Sequence, residues 1–565
     1  MSRKKTKAPL PSPAAAAAPA PGFWDARLLP LLEKRSLAIA VAIIVLAALR
    51  IVSTYSETGL TWDEPGHMAC GLQYLADHVY KYEAQHPPLA RLASALLPYL
   101  SGARPHHDKN QDHEGVLVMY GSGHPGTMLT RMRLGILPFF LLAATIVFLW
   151  SRRHFGGPAA VLSTALFTLV PPVLAHGGLA TTDMPLTGCL AAAFFSLLLW
   201  AERPTWLHAL LLGFTTALAV VSKFTALGFF PAAALLALIA WFAVVRPGFK
   251  AILTTIKERW LTFLGAVVTG ALVIWAVYSF TYGTPKGWHF NVPAPSLFEG
   301  IDFAMYHNTR GHAAYLFGEI RNTGWWYFFP VVLAVKTPLA WLALAGCGIG
   351  VVLTKRATLA YWMPLAFVLG ILVPSMTSHV NIGLRHVLPL FCGLSILAGL
   401  GLLRLIEMAP ARTWAGIVAV VLAVWLFGSG ALKHPNYLAY FNEFAGEHPE
   451  RIVIDSDLDW GQDTIRLARR LKELGADHVA FTTLNLRPEN LAIWPGFPPT
   501  SDINPLKPTE GWTAVGPTLW VLREYGLEHR YPNIHPWFAY GPPQERVGSL
   551  FMYYVPPGSI PENLR

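Results

Sequence analysis

The chain has 565 residues, 53% of them hydrophobic and 13% charged, with a mean hydropathy of +0.41 and a formal net charge of +10. Soluble domains carry about 25% charged residues, so this composition excludes a disordered chain, a collagen-like repeat and a small disulfide scaffold. The basic balance does not point to nucleic acid. Residues 432–565 hold 12 Lys and Arg against 16 Asp and Glu, a net of −4, which leaves +14 in the hydrophobic remainder. A positive surplus within apolar sequence points to a membrane.

Apolar runs of roughly 17–25 residues, the length needed to cross a bilayer core, number eleven. They are Ser36–Tyr55, Leu134–Trp150, Pro158–Ala175, Met184–Trp200, Leu207–Val221, Phe224–Val245, Trp260–Phe280, Tyr327–Leu353, Leu359–Ser375, His386–Leu403 and Trp414–Gly430. Interior prolines such as Pro338 are tolerated in spans where neighbouring helices re-satisfy the backbone. Residues 1–35 read as a disordered tail, 36–431 as a multispan membrane domain, and 432–565 as a small soluble α/β domain. The four cysteines are widely spaced and form neither a disulfide framework nor a zinc pattern.

Short loops retain Lys and Arg on the cytoplasmic side. Counting alternately from the tail, one side holds 18 such residues, while the other holds only Lys223 and Arg385 in its short turns. The expectation is a cytoplasmic N-terminus, with outward segments at 56–133, at 281–326 and from 432 onward. These segments and the outward turns gather Asp63, Glu64, His67, His86, Asp183, Glu319, Arg321 and Arg385. Polar groups near a bilayer are costly and mark function, and their position on one face favours chemistry at the outer leaflet over conduction.

Thr61-Trp62-Asp63-Glu64-Pro65-Gly66-His67 opens a helix expected from about Pro65 to Val79, with Thr61 and Asp63 as N-cap candidates. Capping alone would account for Asp-Glu-Pro. However, Asp63-Glu64 followed by His86-Pro87-Pro88-Leu89-Ala90-Arg91 resembles the first outer loop of the protein O-mannosyltransferase family, within the C-type glycosyltransferases. Thr181-Thr182-Asp183-Met184-Pro185 resembles a second acidic motif. Tyr315 to Glu319, Lys336-Thr337-Pro338, Asn381 to His386 and Asp455 to Asp463 resemble strings of bacterial phospholipid carrier-dependent glycosyltransferases. Ala90-Arg91 departs from the family's Gly-Lys but keeps a cation. The 281–326 loop is too short for the large insert of the eukaryotic enzymes, so a protein acceptor does not follow.

The resemblance implies a GT-C-type polytopic helical enzyme of the bacterial inner membrane. Its donor would be a polyprenyl-phosphate sugar and its acceptor a protein, lipid or glycan, with Asp63 as the catalytic acid/base. Glu64 and Asp183 complete the candidate carboxylates, with a cap of the following span as the alternative for Asp183. Lys223 and Arg385 are phosphate candidates because they stand against the charge bias, with snorkelling to headgroups as the alternative. Lys336, about nine residues into an expected span, needs a partner such as Glu319 or Asp183, or the carrier phosphate. His67, His86, Glu319 and Arg321 are positioning candidates. Asp63 with His67 at i,i+4, joined by His86, could hold a divalent ion, although histidines in polar loops usually serve as hydrogen-bonding groups.

In the C-terminal region, Arg451–Ile454 and His478–Thr483 read as strands and Asp463–Leu474 as an amphipathic helix. Asp455, Asp457 and Asp459 resemble an Asp-x-Asp site, but the plainer expectation is a loop capping that helix. Gly461 and Arg466 miss the EF-hand template. A lipid or polysaccharide transporter and a non-catalytic carrier-binding scaffold are the competing function classes.

Overall fold

The structure, a computed structural model, describes residues 22–482, 496–530, 537 and 541–560. Arg3, Lys4, Lys5 and Lys7 lie outside the described residues. Inside the stretch expected as a disordered tail, a single π turn at Trp24–Leu28 leads into the helix Leu29–Lys34. That helix turns by 74° into Ser36–Val52, the first long apolar helix.

By length and composition, six helices among the described residues could each cross a membrane, and two sharply bent pairs raise that to eight. The expected span over Leu134–Trp150 and most of that over Pro158–Ala175 fall within Pro125–Leu169, a helical stretch interrupted at Gly156 (φ 86°, ψ 177°), while 170–175 pass through an extended Val170 into the short helix Pro171–Gly177. Glycine has no Cβ penalty at positive φ, so the chain can break there into two arms. The Gly157 amide donates to Glu33 Oε2 (2.8 Å), which pins the hinge to the N-terminal helix.

The largest departure from expectation is at Tyr327–Leu353. In place of one span, Phe328–Lys336 and Leu339–Thr354 meet at 117°. Pro338 supplies no N–H and forces Thr337 into extended backbone (ψ 135°), which ends the first helix. The freed carbonyls find partners from the C-terminal region: the Asn442 side-chain amide donates to Thr337 O (2.7 Å) and its backbone N–H to Val335 O (2.8 Å). Lys336 therefore ends a short helix instead of lying about nine residues into one continuous span.

Small residues set the closest helix crossings, as is usual where apolar side chains give no net drive to associate. A Cβ added at Gly348 would lie 1.8 Å from Leu397 O, and one at Gly401 2.2 Å from Leu344 O. Leu339–Thr354 and Leu390–Met408 thus cross backbone to backbone. Helix Glu64–Asp77 meets Pro88–Leu100 in the same way, at Gly71.

After Thr413–Ala431 the apolar helices end. The following region carries the helix Thr464–Glu473 and a five-stranded mixed sheet. Val479–Thr482 pairs in parallel with Thr500–Ser501 and Gly511–Val515, and Leu550–Val555 pairs antiparallel with Gly511–Val515 and Glu545–Val547. Arg451–Ile454 is not a strand; Pro449–Arg451 forms a 3-10 turn entering an irregular loop.

Gly71→Ala is expected to destabilise the protein by about 1–3 kcal/mol, since its methyl would stand 2.2 Å from Arg91 O and 2.7 Å from Arg91 C and must push two helices apart. The thermal unfolding midpoint of the detergent-solubilised protein reads this, and an unchanged midpoint would contradict the packing.

Candidate active site

Four charged side chains from distant parts of the sequence meet at one end of the helical bundle. Arg385, on the 3-10 turn Leu384–Val387, places Nη1 2.7 Å from Asp63 Oδ2 and 3.9 Å from Asp183 Oδ2. Lys223 Nζ lies 2.6 Å from Asp183 Oδ1. Asp183, Lys223 and Arg385 are buried, while Asp63 is half-exposed. The chain of contacts runs Asp63–Arg385–Asp183–Lys223 and alternates in sign. Isolated ions at this depth would cost several kcal/mol each, a penalty that such alternation offsets.

Each member has a local reason for its position. Asp63 occupies the N-cap position of Glu64–Asp77 but makes no capping hydrogen bond; its carboxylate turns to Arg385 instead. Asp183 is the first residue of Asp183–Glu202, and Thr181 Oγ1 donates to its Oδ2 (3.1 Å). Lys223 falls in the break between Trp206–Ser222 and Ala226–Val245. Snorkelling to a surface is therefore not its arrangement, since its ammonium points inward to Asp183.

Burial pushes the Asp63 carboxyl up, but the charge and hydrogen bond of the Arg385 guanidinium oppose it, and the group is held below its ordinary range. Asp63 is accordingly ionised at neutral pH. Burial, then the charge of Arg91, lowers His67 to about 3, which keeps its imidazole neutral.

Glu64 faces away from this cluster. Its two oxygens form a bidentate pair with Arg133 (Oε1–Nε and Oε2–Nη2, both 2.8 Å), and both side chains are fully buried. Glu64 also accepts from the backbone N–H groups of Thr61 and Ala180, each at 2.9 Å. Arg133 in turn donates to the carbonyls of Thr58 (2.8 Å) and Gly59 (2.7 Å). The pair ties the Asp63 loop to the turn that precedes Asp183.

His67 and His86 are neighbours, with ring centroids 5.2 Å apart. Both are engaged by Arg91, which donates to His67 Nδ1 (3.3 Å), to Tyr80 Oη (2.8 Å) and to the Glu83 carboxylate. His86 Nδ1 lies 3.1 Å from Glu83 Oε2. Among the described residues, no group of three or more His, Cys, Asp and Glu side chains is arranged to hold a metal ion. Asp63, His67 and His86 are thus close in space but do not form a ligand set.

Glu319 and Arg321 sit on an exposed hairpin (Ala314–Leu316 with Glu319–Arg321) and pair with each other at 2.7 Å. The structure does not bring them to the cluster. Lys336 also keeps apart from Glu319 and Asp183; its ammonium donates to Leu438 O (2.7 Å) and to Asp457 O.

Sequence reasoning missed the partners of the cluster more than its members. Arg133 carried no motif, and Glu83 stood only as a residue three places before His86. The Asp455–Asp463 string was legible, yet its aspartates do not cap Thr464–Glu473, whose N-cap makes no side-chain bond. The Asp457 carboxylate instead accepts from the Leu384 N–H (3.0 Å), beside Arg385.

Two outcomes are expected. Glu64→Gln leaves Arg133 a buried charge without its counterion and should cost about 3–5 kcal/mol, whereas Glu64→Gln with Arg133→Met should recover part of the loss; thermal unfolding of the solubilised variants reads both. Burial, reinforced by Asp463, pushes Asp459 up to about 7. The folded protein then keeps a proton that the unfolded chain releases near pH 4, so this group makes stability fall as pH rises from about 4 to about 7. Asp459→Asn should flatten that slope, as measured by unfolding midpoints at pH 5 and pH 8.

Residues 40–291 match a family model described as dolichyl-phosphate-mannose-protein mannosyltransferase. Comparison with curated proteins finds no match. Among solved structures, the chain is similar to ArnT from Cupriavidus metallidurans bound to undecaprenyl phosphate, at 14% identity over 91% of this chain and 97% of that one, with a TM-score of 0.48. It is also similar to the oligosaccharyltransferase AglB from Archaeoglobus fulgidus (12% identity, 69% and 55% covered, TM-score 0.43). A third likeness is to the protein O-mannosyltransferase Pmt1-Pmt2 complex of S. cerevisiae (17% identity, 45% and 35% covered, TM-score 0.32). The matched residues 40–291 include Asp63, Glu64, His86, Asp183 and Lys223, and the resemblance to the protein O-mannosyltransferase group that the Asp-Glu and His-Pro-Pro strings carry is borne out by that match.

Proposed function

We propose that this chain is a membrane-embedded glycosyltransferase that moves a sugar from a polyprenyl-phosphate donor to an acceptor hydroxyl, with inversion at the anomeric carbon. The observation that carries the reading is the Asp63–Arg385–Asp183–Lys223 cluster. It pairs a half-exposed carboxylate with two buried cations at the loop end of apolar helices. A group transfer from a lipid phosphate needs a base for the acceptor and positive charge for the leaving group, both beside a bilayer. Undecaprenyl phosphate and dolichol-phosphate, bound in the similar ArnT and AglB structures, are of the same chemical class.

Asp63 takes the proton of the acceptor hydroxyl. The acceptor oxygen bonds to the anomeric carbon as the bond from that carbon to the phosphate oxygen breaks. The bonding pair leaves on polyprenyl phosphate, whose charge is held by the Arg385 Nη2 that Ser456 and Asp63 leave free and by Lys223 as a point charge. Before donor binds, the Arg385 charge makes Asp63 a weak base. A donor phosphate sharing that guanidinium gives basicity back to Asp63, so the base is active only when the donor is in place. Glu64, fixed by Arg133, acts as a positioning residue for the Asp63 loop.

Lys and Arg asymmetry supports a cytoplasmic N-terminus and chemistry at the outer face of the bacterial inner membrane. The region from 432 onward would then be extracytoplasmic, next to a protein, lipid or glycan acceptor.

Asp63→Asn preserves shape but removes the base, and should lower label transfer from radiolabelled polyprenyl-phosphate hexose in membrane preparations by about 10²-fold or more. Transfer at the wild-type rate would sink the assignment.

A further inference from the structure

Arg385 and Asp63 are 322 residues apart in sequence, and each sits in irregular backbone rather than within a long helix. A single strip of the C-terminal region touches Arg385 and the loop that carries Asp63. On the Arg385 side, Nε donates to Ser456 Oγ (3.1 Å), and the guanidinium carbon lies 4.1 Å from the centroid of the Trp460 ring. The Asp457 carboxylate accepts from the Leu384 N–H, and Ser456 Oγ donates to Ile382 O. The approach at Gly383 (φ 140°) is so close that an added Cβ would be 2.2 Å from Ser456 Oγ. On the Asp63 side, the Trp62 N–H donates to Trp460 O (3.1 Å) and the Gly59 N–H to Gln462 O (2.7 Å). With Nε on Ser456 and Nη1 on Asp63, the remaining Nη2 donates to no partner among the described residues.

We propose that residues 456–462 of the C-terminal region are a working part of the active site, with Ser456 and Trp460 as positioning residues that hold Arg385 against Asp63 and aim its free Nη2 at the donor phosphate. This rests on the reading of Arg385 as a phosphate ligand. Ser456 fixes one edge of the planar guanidinium, and Trp460 fixes its plane through the ring face, the geometry in which Arg stacks on aromatics. An unsupported Arg side chain would sample many rotamers, and holding it in one conformation ahead of binding lowers the entropic cost of capturing phosphate. Because Trp460 also accepts from Trp62 through its backbone, the ring that orients the cation is registered to the loop that carries the base. The C-terminal region then functions as the third wall of the site rather than as an appended acceptor module.

The test is binding of undecaprenyl phosphate to the purified full-length chain in nanodiscs, with affinity and stoichiometry measured separately for wild type, Arg385→Gln, Ser456→Ala, Trp460→Leu and Trp460→Phe. Ser456→Ala and Trp460→Leu should each weaken affinity about tenfold, equivalent to about 1.4 kcal/mol, at unchanged stoichiometry. Trp460→Phe keeps a ring face and should stay within about twofold of wild type. A merely structural role would lower stoichiometry and leave the affinity of the folded fraction intact, which would overturn the proposal. So would wild-type affinity in both Ser456→Ala and Trp460→Leu when Arg385→Gln binds weakly. If Arg385→Gln itself binds like wild type, the phosphate assignment fails first, and this inference with it.

Discussion

The arrangement at the loop end of the bundle depends on one guanidinium. Arg385 reaches Asp63 at 2.7 Å and Asp183 at 3.9 Å, and thereby links the first loop, the start of Asp183–Glu202 and the Leu384–Val387 turn. Removing it would leave two carboxylates near each other, Asp183 fully buried, where unpaired charge is expensive. Lys223 compensates only Asp183. The low-lying Asp63 carboxyl, its freedom from helix capping and its ionised state at neutral pH all follow from that cation.

A second buried pair supplies the rigidity that the first requires. Glu64 and Arg133 stand beside the Asp63–Arg385 pair without joining it. Between them they tie down the backbone at Thr58, Gly59, Thr61 and Ala180. Adjacent acids in an Asp-Glu string thus divide the labour: one is fully paired and fixes the loop, and the other is half-exposed and available. The separation arises because successive residues at a helix start point in different directions, Asp63 toward the Arg385 turn and Glu64 back along the chain to Thr61.

The bend at Thr337-Pro338 shows how structure revises a reading that was reasonable from composition. An apolar run with an interior proline at Pro338 reads as a kinked span, yet here the chain turns by 117° because Asn442 accommodates the freed carbonyls. Lys336 then lands beside Leu438 O and Asp457 O instead of deep among helices. Its expected pairing with Glu319 or Asp183 could not be tested by spacing, since the hairpin bearing Glu319 and Arg321 leaves the cluster altogether. In the same way, the Asp455–Asp463 string was visible as a motif, but its direction was not; a loop that caps a helix and a loop that grips a neighbouring turn have the same residues.

The amino-acid sequence by itself determined the class of the molecule. Apolar runs, sparse charge and the confinement of Lys and Arg to certain loops are properties of the linear chain, because bilayer thickness and charge placement act on segments one at a time. It also determined which polar residues were unusual: Asp63, Asp183, Lys223 and Arg385 stood out for being where such groups are costly. Their pairing was decided only by tertiary structure. An ion pair across 322 residues leaves no periodic trace in the chain, and neither do Arg133 under Glu64 or Trp460 over Arg385. Buried charge must find a partner, but which partner depends on how helices and loops from opposite ends of the sequence pack together.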